Sequence, residues 1–124
     1  MSPETDLPDF MRSQLGSVWA LEMLLLLRRA PRRAWTVAET VAELRAATGL
    51  VQGIFDRFLI AGVIVADGDL RYRYAPASLM IDGLCDAVEE AYRQRPVATI
   101  ALISAPADRL QQLANAFRVR GPKR

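Results

Sequence analysis

Between Leu15 and Leu27 the chain reads LGSVWALEMLLLL, with Glu22 as its single charge. Apolar side chains at this density wrap most of the way round a helix, so the helix must be enclosed rather than laid on a surface. A lipid enclosure is excluded by length, because Glu22 interrupts the run and Arg28 and Arg29 end it short of the ~20 residues a span requires. The pattern starts at Phe10 and Met11 and is closed by Pro31, which lacks the amide that would extend the ladder. A single domain of 124 residues can hardly bury such a helix on every side, so part of it is expected to face a second subunit.

The remaining elements follow from periodicity and punctuation. Residues 1–9 hold two prolines and three acidic residues ahead of any periodic pattern, which predicts a flexible arm and no signal peptide. Thr36 and Glu39 have the spacing of a capping box, and Val37, Val41 and Leu44 then predict a short amphipathic helix ending near Ala47. Thr48 and Gly49 form the expected turn. A further helix over about 50–61 carries Val51, Phe55, Phe58 and Leu59 on one face and stops at Gly62.

The following VIVADGDLRYRYAP predicts a hairpin over about 63–75. Asp67-Gly68 supplies the turn, and Leu70, Tyr72 and Tyr74 alternate with Arg71 and Arg73. Whether Asp69 joins the loop is left open by the sequence. Ile81, Leu84, Cys85, Val88, Ala91 and Tyr92 mark another helix, broken by Pro96, and Val97 to Ile103 is read as helical too. Leu110, Leu113, Ala114 and Phe117 predict a last amphipathic helix ahead of a basic tail over 120–124.

Chemistry is sparse. The chain has no His and one Cys, so no ordinary chelating cluster can form within a subunit, and neither a metal nor another cofactor is expected. Cys85 is expected in the core. The carboxylate pairs Glu89/Glu90 and Asp82/Asp86 are neighbours or an ordinary i,i+4 pair, and no glycine-rich phosphate loop follows a strand, so no enzyme is expected. Sixteen Lys and Arg stand against fourteen Asp and Glu, and a net charge of +2 does not imply nucleic acid by itself.

Three helices followed by a two-stranded hairpin, from roughly Val18 to Pro76 and including the segment WTVAETVAELRAATGLVQGIFDRFLIAGVIVADGDLRYRYAP, resemble a winged helix-turn-helix domain of the MarR-like and ArsR-like bacterial regulators at motif level. The resemblance implies a mainly α fold with a small β-hairpin. A winged helix-turn-helix over 10–76 would be flanked by dimerisation helices at its N-terminal end and over 77–119. It also implies a cytoplasmic, homodimeric transcriptional regulator that binds double-stranded DNA. The positions facing DNA would be Gly49, Leu50, Gln52, Gly53, Ile54, Asp56 and Arg57. Gln52 and Arg57 are the residues there able to contact bases, with Arg71 and Arg73 on the wing and Arg32 and Arg33 on the backbone.

The same helix supports a function of another class. If Leu50, Ile54 and Ile60 are exposed together, they form an apolar patch suited to a protein groove, and the scaffold then serves as an interaction module, an adaptor or an antagonist of another regulator.

Overall fold

The computed structural model describes residues 3–104 of the chain, with side chains from residue 7 onward. Helix α1, Pro3–Phe10, runs directly into a wider π turn, Met11–Leu15, which closes with a 3.0 Å hydrogen bond from the Gly16 amide to the Met11 carbonyl. Two expectations are corrected here. Residues 3–9 are helical where an arm was predicted, and the helix predicted from Phe10 to Leu27 is broken at Gly16 and Ser17. Gly16 takes φ 72°, open to glycine at little cost, and Ser17 then caps helix α2, Val18–Arg29, by accepting from the Ala20 amide at 3.2 Å. Phe10, Met11 and Leu15 thereby enter the same core as Leu21, Met23, Leu24 and Leu27, from another direction.

A two-residue strand β1, Trp35–Thr36, leads into helix α3, Val37–Leu44. The predicted capping box is formed: Glu39 N donates to Thr36 Oγ1 at 3.1 Å, and Thr36 N donates to Glu39 Oε1 at 3.0 Å. Arg45, in the left-handed region at φ 57°, ends α3. Helix α4, Thr48–Ala61, begins earlier than the predicted residue 50, so the turn between the two helices is Arg45 to Ala47 and not Thr48-Gly49. Gly62, at φ 79°, ends α4 as expected.

Strands β2, Ile64–Ala66, and β3, Arg71–Tyr74, form the hairpin, with Ile64 opposite Tyr74 and Ala66 opposite Tyr72. The Asp67 amide bonds the Arg71 carbonyl at 2.8 Å, so the loop is Gly68, Asp69 and Leu70. Leu70 lies in this loop at φ 57° and outside the predicted alternation. Strand β1 adds to β3, giving a three-stranded antiparallel sheet of order β1-β3-β2. A hairpin alone was predicted, because two residues are too few to show a period of two. The chain is thus mainly helical with a small antiparallel sheet.

Helix α5, Leu79–Gln94, is capped by Ser78 and packs against α1. Helix α6, Pro96–Ser104, starts on proline, where the missing amide has no intrahelical partner to lose. The predicted helix on Leu110 to Phe117 and the basic tail lie outside the described residues. Among the described residues no helix is long and apolar enough to cross a membrane.

Helix α4 enters the core through Val51, Ile54, Phe55 and Phe58 and packs against α3, β2 and the π turn, each burial contributing about 1.5–3 kcal/mol. The alternation in β3 sends Tyr72 onto Phe55, ring centroids 4.4 Å apart, and buries Tyr74. Tyr74 donates to Asp82 at 2.7 Å and lies under the Arg28 guanidinium, which is paired with Glu89 and Asp86 of α5. Burial, then the hydrogen bond to Asp82, pushes the Tyr74 hydroxyl well above its usual range. Cys85 is fully buried beside it, and burial pushes its thiol up to about 11.

Candidate interaction surface

Helix α4 has one face committed to the core, and the opposite face is set by 3.6-residue geometry. Gly49, Gly53, Asp56 and Ile60, spaced by four, three and four residues, form one exposed stripe along it. The stripe has little side chain. A Cβ added to Gly49 or Gly53 would meet nothing within 4 Å. Neither glycine has a positive φ, unlike Gly16, Gly62 and Gly68, so local backbone conformation does not call for them. In a helix interior a glycine such as Gly53 costs about 1 kcal/mol relative to alanine, and Gly49 in the first turn costs less.

Ile54 does not belong to this surface. It is 1% exposed, because it lies three residues from Val51 and four from Phe58, both fully buried, and so falls on the core face. It is removed from the expected DNA-facing set and from the expected apolar patch alike. Leu50 is at the margin, 37% exposed, and Ile60 stands out at 89%.

The two α4 side chains able to read bases are engaged within the chain. Gln52 Nε2 donates to Asp56 Oδ1 at 2.9 Å, which also takes up the carboxylate that a cytosine amine or Arg57 would otherwise meet. Arg57 Nη1 donates to the Leu15 carbonyl at 2.6 Å, at the end of the π turn. The remaining candidates divide into two groups. Arg33 and Arg71 share one carboxylate oxygen of Glu39, each at 3.9 Å, and the Arg33 guanidinium lies 3.5 Å above the Trp35 ring. The backbone amide of Thr36 holds the Glu39 carboxyl below its ordinary value; partial desolvation opposes this, and Arg71 and Arg33 reinforce it.

Arg73 donates to Asp67 at 2.9 Å across the hairpin. Arg32 is exposed and has no ion pair among the described residues; with Arg73, Tyr74, Leu79 and Asp82 it lines an open cleft of about 660 Å³. The six residues expected to touch DNA are therefore not gathered into one free basic surface. What α4 presents is shallow, nearly neutral and partly apolar.

No protein-family model, curated protein or solved structure matches the chain.

Proposed function

We propose that this chain is a protein-interaction module on a winged helix-turn-helix scaffold, which docks a partner through the outward face of α4. One observation carries the proposal: the Gly49, Gly53, Asp56, Ile60 stripe is open, while Gln52 and Arg57 are held by Asp56 and Leu15. The scaffold itself is supported by the order α2, β1, α3, α4, β2, β3 and by the strand order β1-β3-β2. Two glycines four residues apart let a partner backbone approach closely, Ile60 supplies an apolar anchor, and Asp56 suits a cation at the centre of the contact. A partner helix laid along the stripe meets these requirements, in an adaptor or an antagonist of another regulator.

DNA binding by a cytoplasmic homodimer is the second function, and Arg32 is the residue that favours it, being exposed and without an ion pair among the described residues. Fluorescence anisotropy of a labelled random duplex, titrated across a salt series with the oligomeric state followed on the same samples, separates the two. The interaction module gives no saturable curve even at low salt. A DNA regulator gives affinity that falls steeply with salt, and Arg71→Ala and Arg73→Ala each flatten the slope by about one contact.

A further inference from the structure

A second surface, sharing no residue with the α4 stripe, opens as a groove of about 500 Å³ lined by Val18, Trp19 and Glu22 of α2 and by Glu43 and Leu44 of α3. Trp19 is 41% exposed, against 4% for Trp35, so much of a large aromatic ring faces water here. Aromatic surface of that size is most useful when covered by a partner.

Two carboxylates of this groove share with Asp69 of the hairpin loop the lack of any partner among the described residues, and unlike Asp69 they flank an exposed aromatic ring. Asp9, Glu39, Asp67, Asp86, Glu89 and Glu90 each lie within ion-pair distance of an arginine. Among the described residues Glu22 and Glu43 have no cation within that distance and no side-chain hydrogen bond, and both line the groove beside the exposed indole. A π face with two carboxylates that no described cation neutralises, beside the aliphatic groups of Val18 and Leu44, is complementary to a cation on an aliphatic stem.

We infer that this groove binds an arginine- or lysine-bearing segment of a partner protein. The stem lies along Val18 and Leu44, the cation covers the Trp19 indole, and Glu22 and Glu43 neutralise it. Arginine fits better than lysine, since its planar guanidinium stacks on an indole while still donating to carboxylates.

The probe is the peptide acetyl-Gly-Arg-Gly-Arg-Gly-amide, titrated into the full-length protein at low salt with the Trp19 indole N–H followed by NMR and assigned through Trp19→Phe. The peptide with citrulline in place of arginine serves as the neutral control. The expected result is a saturable shift that weakens with salt, is absent with citrulline, and is weakened about five- to tenfold in Glu22→Gln/Glu43→Gln. An unchanged Trp35 resonance shows that the variant keeps its fold. Equal binding of the citrulline peptide, or equal binding by the double variant, overturns the proposal. So does an unresponsive wild type, and if the Arg118→Ala/Arg120→Ala/Lys123→Ala/Arg124→Ala variant then binds, the occupant is the chain's own basic tail and not a partner.

Discussion

Arg57 donates a 2.6 Å hydrogen bond to the Leu15 carbonyl beside Gly16, where a Cβ would stand 3.2 Å from the same guanidinium nitrogen. The glycine thus does two things at once. Its φ of 72° ends the π turn, and its missing side chain leaves room for the arginine that satisfies a carbonyl at that end. A residue placed where a base contact was expected instead ties α4 to the N-terminal segment.

Arg57→Ala is therefore expected to destabilise the fold by about 1 kcal/mol, below the ~1.5–3 kcal/mol of a buried hydrogen bond from a charged group, because solvent screens the exposed side chain. Urea unfolding measures this. Gly16→Ala destabilises as well, through the left-handed φ, and the two effects are not additive in a double-mutant cycle because the residues touch. Duplex affinity that drops in Arg57→Ala at unchanged stability returns the residue to base contact.

Gly49→Ala and Gly53→Ala are expected to stabilise the isolated protein, each by about 0.5–1 kcal/mol, since the added methyl meets empty space within ordinary helix geometry. Thermal unfolding then moves upward by a few degrees. A bulkier Gly53→Leu keeps this stability and blocks the docking surface, which separates folding from binding.

Much of this architecture is legible in the chain. A dense apolar run marks α2, spacings of three and four residues mark α4 and α5, Thr36 with Glu39 marks the start of α3, and the alternation of arginine with tyrosine sends Tyr72 and Tyr74 inward. The break at Gly16 is not legible, because the residues on both sides of it are apolar and both sides end in one core. Nor is β1 legible, a strand of two residues whose partner lies beyond two helices. Ile54 is misplaced when its position is taken from a family pattern rather than from its spacing to Val51 and Phe58. The acceptor of Arg57 lies 42 residues away, a relation that only the folded chain creates. Trp19 reads as one more member of an enclosed helix, and the fold leaves it at the rim of a groove.

The Thr36 and Glu39 pair gives a pH-dependent expectation. Glu39 has a folded-state pKa below its ordinary value of 4.5, so its contribution to stability is present above that value and is lost as pH falls through the folded pKa. Glu39→Gln lowers the melting temperature near neutral pH, and the gap to wild type narrows as pH falls below 4.5 and through the lowered folded-state pKa. Glu39→Gln removes the charge and leaves an acceptor in place, whereas Thr36→Ala removes the hydroxyl half of the box at a cost of about 1 kcal/mol. A gap for Glu39→Gln that stays constant with pH contradicts the assignment.

Cys85 is expected to resist thiol reagents. Complete burial and a pKa pushed up to about 11 leave little thiolate at pH 8 and no path to it in the native state. Labelling with an aromatic disulfide proceeds at the rate of unfolding and becomes immediate in denaturant. Fast labelling of the native protein contradicts the packing of α5 on the core.

The most direct test of the docking surface puts a benzophenone side chain at Gly53 and photolyses cells in which the protein is native. A docked partner protein gives an adduct that resists nuclease, is digested by protease, and disappears when Ile60 is changed to Asp. An adduct that carries nucleic acid and is digested by nuclease contradicts the account and makes α4 a DNA-facing helix.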